Sequence, residues 1–595
     1  MAEERTKLSF EQTPIEKPGV RHRLRQLEKA TVLHARNFIV RRFTNLKEVR
    51  RTALLWVFVA GFLVIAGWSQ IVAGAAFYSH IGPVPGGVYI EGSVGKIDTL
   101  NPIFASNPAE RTASHLLFPG LVSIDEKGSL VGDLAESWSN SDDGKTYTFI
   151  LRPEVQWSDG KPITASDVTF TVRALQNTAT RSPYAATWQH IQVEAPNERT
   201  VTFRLPAPFA PFVNALTIGI LPQHVLSSIP LAQLRGASFN LDPTTSSGPF
   251  AFRGLTNERP GMRAINDVYL VKNENYVRGV PKLDRLTLRI YKDNDALVTA
   301  MREREIVAAS DIPGDQLAQF ARDGGLKITE LEPFSGVYAF LKQSNAILAD
   351  ANVRRALLLA TDRPAITKNV HGASLLEGPL VSGQPGAGAG LVQASFNLQQ
   401  ADALLAQAGW VKDASGKRLK NGEPLRLSIV GLASSGYAST VQAMQKTWSE
   451  LGIEVESRLV RQEEFQTNII GPHAYDVLVY ELALGRDSDV YPYWHSSQAV
   501  APRLNLSEYR SVISDEALEA GRTRINPALR EAKYRTFVEQ WLKDVPAIAL
   551  YRPHSYYVQL AKTEAVKAGP IGELIDRFAN VQYWTADIGR LQNTE

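Results

Sequence analysis

The chain has no cysteine among its 595 residues. Disulfides, thiol catalysis and thiolate metal sites are therefore excluded. Catalytic signatures are missing as well: there is no GxSxG elbow, no HExxH and no GxxxxGK[ST]. Gly92-Ser93-Val94-Gly95-Lys96 has the wrong spacing for a phosphate loop. Asn140-Ser141-Asp142-Asp143-Gly144 has the start of a calcium loop, but Leu151 stands where the bidentate glutamate belongs. The 10 histidines are scattered without ligand spacing. An enzyme is not expected, and no metal or cofactor is expected.

The main body also lacks a basic excess. The formal charge of +3 is unevenly distributed. Residues 1–52 carry 13 Lys/Arg and 6 Asp/Glu, net +7, and the remainder carries 51 and 55, net −4. Nothing in the body suggests nucleic acid as a partner. The basic arm precedes Ala53–Tyr78, a run without a single charge, which as a helix spans about 39 Å, enough for a bilayer. Arg41, Arg42, Lys47, Arg50 and Arg51 place its amino-terminal side in the cytoplasm. Ala73-Gly74-Ala75 has the small-residue pattern of a signal cleavage site, but the long preceding region favours an uncleaved anchor. Residues 21–50 are compatible with a basic amphipathic helix on the inner leaflet or with a disordered tail.

Asp143 to Val172 is the most informative stretch. Asp143-Gly144 is a hairpin turn signal. Tyr147, Phe149 and Leu151 alternate with Thr146, Thr148 and Ile150, the period of a strand. Ser158-Asp159-Gly160 makes a second turn, and Thr164 precedes a helix with Asp167 in its first turn. Nothing in the stretch is catalytic in kind. Taken whole, it resembles the DGxxYTFxLRxxVxWxDGxPxTAxDVxFS run of the peptide-type solute-binding proteins of ABC importers, the oligopeptide- and dipeptide-binding family. Asp98–Pro102, Leu116–Val122, Val131–Trp138, Ile220–Leu226, Ser247–Phe250 and Asn273–Tyr276 resemble further segments of that family, so the resemblance extends from about residue 84 to the carboxyl end.

The resemblance implies an α/β, two-lobed periplasmic-binding-protein-like fold with an extra subdomain in the first lobe, preceded here by one transmembrane helix. The expected division is a basic cytoplasmic arm (1–52), the transmembrane helix (53–78), lobe I (84–123), its extra subdomain (124–230), lobe I again (231–335), lobe II (336–547) and a return to lobe I (548–595). Within lobe II, strands at Leu425–Gly431, Ile453–Val460 and Tyr475–Leu482 alternate with helices, which predicts a parallel sheet. The family's usual lipid-modified cysteine is excluded, and the transmembrane helix takes its place as tether. The implied function is capture of an extracellular peptide and its delivery to ABC permease subunits served by a separate ATPase. The body is expected to be a monomer. Alternatives are another solute (an oligosaccharide, a nickel chelate or haem) or a membrane-anchored sensor or adhesion protein.

Ligands of parallel sheets bind at the carboxyl ends of strands. The strand Tyr475–Leu482 leads into Arg486-Asp487-Ser488-Asp489-Val490-Tyr491 and Trp494. Carboxylates beside aromatics suit a peptide, the carboxylate meeting the terminal ammonium and the rings covering side chains. Placing the family's GDPD on Arg486–Asp489 puts Leu484 at the amine-binding aspartate, whereas a two-residue gap gives that role to Asp487, with Asp489 second. Ser434 and Ser435 open a helix whose free N–H groups can hold a carboxylate or simply be capped. By position in the family, Ser106 and Asn107 resemble a loop that contacts the ligand backbone, and Tyr338 lies on an inter-lobe strand. Gly383–Gly390 is expected as a loop bordering the cleft.

Overall fold

A computed structural model describes residues 33, 46–77, 79–257, 263–388, 390–567 and 569–592. The arm and the amphipathic helix expected before residue 46 lie outside the described residues, apart from Leu33. An α-helix runs over Leu46–Phe77. Its segment Thr52–Gln70 has a mean hydropathy of 2.0 with none of it buried, and it is long and apolar enough to cross a membrane.

The unit 82–589 is built on two large sheets. The first has eight strands, in the order Gly569–Ile571, Leu326–Pro333, Ser555–Leu560, Ala308–Pro313, Val88–Val94, Arg285–Tyr291, Ala264–Lys272 and Phe250–Asn257. The second has six, in the order Ala373–Leu375, Ala547–Pro553, Ser335–Leu341, Val477–Ala483, Arg426–Leu432 and Glu454–Val460. Arg426–Leu432 runs parallel to both neighbours, as the strand-helix alternation predicts. Ser335–Leu341 is antiparallel to Val477–Ala483, so the second sheet is mixed. Both of its faces are covered. Val337, Ala339, Leu341, Val477 and Val479 pack into one core cluster. Tyr338, Phe340, Leu478 and Leu482 pack into another on the opposite face. A strand buried on both sides reads as a continuous apolar run, which is how Val337–Leu341 reads.

The Asp143–Val172 stretch forms one corner of a separate antiparallel sheet, ordered Ala135–Asn140, Thr146–Leu151, Thr200–Arg204, Gln192–Asn197. Tyr147, Phe149 and Leu151 are buried. Gly144 and Gly160 adopt φ of 66° and 82°, the left-handed turn conformations that favour glycine there. Asp167 Oδ2 accepts from the Thr164 N–H at 2.9 Å, and its Oδ1 accepts from the Gln223 N–H at 2.8 Å. His224 Nε2 lies 2.8 Å from Asp159 Oδ2. The two motif segments thus lock together, and their polar residues are occupied in building this corner.

Two strand pairs connect the large sheets. Leu326–Pro333 belongs to the first sheet and Ser335–Leu341 to the second, with only Phe334 between them. Ala547–Pro553 belongs to the second and Ser555–Leu560 to the first, with only His554 between them. The final return to the first lobe therefore begins at His554, later than the expected 548. The Arg552 guanidinium ties the crossings together: Nε donates to the Pro333 carbonyl at 2.9 Å, Nη1 meets Glu332 Oε2 at 2.9 Å, and the group stacks 5.6 Å from the Phe334 ring centroid.

Candidate functional site

The loop after Val477–Ala483 leaves the second sheet beside the crossing strands. Leu484 N–H donates to the Phe334 carbonyl at 2.8 Å, which fixes where the loop starts. Gly485 takes φ 68°, and the chain turns over the cleft. Gln384 Nε2 donates to the carbonyls of Gly485 at 2.9 Å and Asp487 at 3.2 Å. Ser488 Oγ donates to the Pro385 carbonyl at 2.6 Å. The glycine-rich stretch expected to border the cleft therefore braces the site loop.

This loop lines a cavity of about 240 Å³ between the lobes. Leu484, Arg486, Asp487 and Asp489 come from the second lobe. His115, Asn214, Thr217, Glu573 and Asp576 face them from the first. An adjoining cavity of equal size continues past His115 to Arg111 and Tyr184. Burial pushes the His115 imidazole down to about 4, so this side chain is uncharged at neutral pH beside the carboxylates of Glu573 and Asp576.

Both sequence-derived carboxylates reach the cavity, and both already hold a guanidinium. Asp487 Oδ1 accepts from Arg530 Nη2 at 2.7 Å and from the Asp489 N–H at 3.0 Å. Asp489 is gripped by Arg522 through Nε at 3.0 Å and Nη2 at 2.8 Å. Burial pushes the Asp489 carboxyl up, with Arg522 opposing. Arg522 in turn lies over Tyr491, 4.1 Å from its centroid, while His495 stacks on Tyr491 with centroids 4.0 Å apart. Tyr491 is therefore sandwiched.

The structure puts Tyr338 and Trp494 in the core and not on the cleft wall. Both are fully buried and pack edge to face at 5.8 Å, beside Phe340 and Trp541. The alternation along Ser335–Leu341 sends Tyr338 into the core cluster shared with Phe334, Leu482 and Leu484, where its hydroxyl donates to the Gly378 carbonyl at 3.3 Å. Ser106 and Asn107 serve the helix Pro108–Leu117. Asn107 Oδ1 accepts from the Glu110 N–H at 3.1 Å, and Glu110 Oε2 accepts from the Ser106 N–H at 2.9 Å. Ser434 is the N-cap residue of the helix Ser435–Glu450 and lines a further cavity.

That further cavity measures about 380 Å³ and opens beside the crossing strands, on the opposite face of the second sheet. Asp315 enters it from the first lobe, and Val337, His371, Ser434, Tyr437, Glu481 and Tyr551 from the second. Sequence reasoning missed Arg486, Glu481, His115, Glu573 and Asp576. Arg486 and Glu481 flank the chosen loop, and the 3.3 Å-per-residue alternation of the strand would have shown that Glu481 points away from the Leu482 core. The others come from distant segments with no local signature.

Among the described residues no group of His, Asp or Glu is arranged to hold a metal ion.

Comparison with known proteins places these features. The family model of bacterial extracellular solute-binding proteins, family 5 middle, matches residues 129–500. The oligopeptide-binding protein AppA of Bacillus subtilis is 26% identical over 551 residues, covering 90% of this chain and 99% of AppA. A putative ABC transporter peptide-binding protein of Brucella ovis is 28% identical over 492 residues, covering 81% of this chain and 90% of the relative. The crystal structure of NikZ from Campylobacter jejuni in complex with Ni(L-His) superposes with a TM-score of 0.70 at 25% identity, covering 84% of this chain and 99% of NikZ.

Proposed function

The chain belongs to the bacterial extracellular solute-binding proteins of family 5, and we propose that it captures peptides in the inter-lobe cleft and hands them to an ABC permease. The observation that carries this reading is the pair of single-residue crossings at Phe334 and His554, flanked by cavities lined from both lobes. Two short crossings let the lobes pivot as rigid bodies, and a ligand that touches both favours the closed form by its differential affinity. Transport energy comes from a separate ATPase.

Asp487 is our candidate for the peptide ammonium. Its Oδ1 is occupied by Arg530 and the Asp489 amide, which leaves Oδ2 for the ligand. Asp489, held by Arg522, keeps the loop in place. The amino end of the helix Ser435–Glu450, with Ser434 before it, is the candidate for the ligand carboxylate, because its first N–H groups lack intrahelical partners. Ser106 and Asn107 position the helix that carries His115. The helix Leu46–Phe77 serves as a single-pass anchor with the basic arm in the cytoplasm, and the body acts as a monomer. Native mass spectrometry of the full chain in detergent tests the reading: co-purified peptides are expected. A bound sugar, nickel chelate or haem would replace it.

A further inference from the structure

Several buried carboxylates in this protein are paired with guanidinium groups, while Glu110 and Asp167 are satisfied by backbone N–H groups. Glu91 meets Arg577 at 2.6 Å, Asp267 meets Arg289 at 2.9 Å, Asp133 meets Arg278 at 3.5 Å, and Asp487 and Asp489 meet Arg530 and Arg522. Glu481 is different. Among the described residues it forms no ion pair, and its opposing neighbour is the Ser335 hydroxyl. Burial, reinforced by the charge of Asp311, pushes its carboxyl above the usual range.

Glu481 lines the 380 Å³ cavity, and the rest of that lining supplies no fixed positive charge. No Lys or Arg is among the lining residues, and Asp315 adds a second acidic group from the other lobe. His554 is already engaged by Glu330 and by Ser374 Oγ at 2.9 Å. His371 lines the same cavity. The phenols of Tyr437 and Tyr551, both pushed up by burial, lie within electrostatic reach of Glu481 and present rings to the space. The amino end of the helix Ser435–Glu450 contributes about half a positive charge, less than one carboxylate.

We propose that this cavity selects peptides bearing a cationic side chain, lysine or arginine, whose charged head pairs with Glu481 while its apolar stem packs between Val337, Tyr437 and Tyr551. The proposal rests on the peptide-capture reading above and names the substrate class within it. The physical reason is that a half-buried, poorly solvated carboxylate without a counter-ion is costly, and a ligand cation that displaces water from the cavity removes that cost. Aromatic walls add attraction for the same charge.

The test uses the full chain in detergent and two random pentapeptide pools that differ only in carrying lysine or Nε-acetyl-lysine at one randomised position. The lysine pool is expected to be retained about 30-fold better, the loss that follows when one side of a buried charge pair is neutralised. Glu481→Gln should bring the pools level, and Glu481→Asp should keep most of the preference. If the parent retains both pools equally, the inference fails and peptide capture stands. A preference that survives Glu481→Gln also overturns it, since the cation then binds elsewhere. If neither pool is retained, the peptide reading and the inference fall together.

Discussion

Arg486 Nη2 donates to Asp576 Oδ2 at 2.8 Å, joining the candidate-site loop of the second lobe to the carboxyl-terminal segment of the first. Both side chains are mostly shielded from solvent, at 21% and 12% exposure. Asp576 Oδ2 also accepts from the Gly572 N–H at 2.7 Å, so its position is fixed before Arg486 arrives. Arg486 stacks 5.5 Å from the Phe334 centroid at one crossing. A second inter-lobe bond runs from the Ala210 N–H to the Arg522 carbonyl at 2.9 Å. These contacts favour the closed arrangement without a ligand. Asp576→Asn should shift the lobes toward the open form by about 2 kcal/mol, the worth of a hydrogen bond to a charged group. The absence of native cysteines makes this measurable by pulsed electron paramagnetic resonance on Lys161→Cys and Val512→Cys labels. An unchanged distance distribution would show that the pair does not govern closure.

Asp487→Asn should weaken peptide binding roughly 30-fold or more, because the ligand ammonium is then left buried without a full charge partner. An amino-acetylated peptide should bind the parent about as poorly, and the mutant should barely distinguish the two forms. Calorimetry on the four combinations separates recognition from folding. Loss of the Arg530 pair weakens both peptides alike, whereas loss of ammonium recognition removes only the preference. Equal binding of free and acetylated peptide by the parent would remove Asp487 from the site.

What was legible in the sequence was whatever repeats locally. The Thr146–Leu151 strand showed its period of two, and Tyr147, Phe149 and Leu151 are buried. The Thr164 cap appeared with its Asp167 partner. The parallel strands of the second lobe followed from their alternation with helices. Side-chain direction at the site was not legible. Tyr338 and Trp494 are aromatic and lie near the loop, but strand parity and the surrounding Phe340 and Trp541 rings draw them into the core. Nor does sequence reveal that Arg522 and Arg530, more than 30 residues away, occupy both loop aspartates. Trp494→Ala should therefore act on stability, by about 3–5 kcal/mol for a buried aromatic. The midpoint of denaturant unfolding should fall while the affinity of the remaining folded protein stays near that of the parent. An affinity loss with an unchanged midpoint would return Trp494 to the cleft.

The anchor has a direct test. The segment Thr52–Gln70 is apolar, and none of it is buried, in the helix Leu46–Phe77. The mature protein should keep its amino terminus and stay with membranes through a carbonate wash. Amino-terminal sequencing that starts at Ala76 would show that the run is a cleaved signal.

The pH response of Glu481 has two opposite signs. Burial raises its carboxyl above the usual value of about 4.3 in an unfolded chain, so the folded, empty protein binds the proton more tightly than the unfolded one. In the empty protein this group costs stability at neutral pH, and the cost is relieved as pH falls through the raised value. A cationic ligand needs the ionised form, so its affinity is full above that value and is lost as pH falls through it. Asp133, Asp167 and Asp489 are raised in the same direction, so parent and Glu481→Gln must be compared to isolate the effect. As pH falls through the raised value, the lysine-over-acetyl-lysine preference of the parent should shrink, and that of the mutant should stay flat near unity. Over the same range, the stability advantage of the mutant over the empty parent should narrow. A preference that holds constant through that fall would mean that Glu481 keeps its charge throughout and is solvated in a way the cavity does not provide.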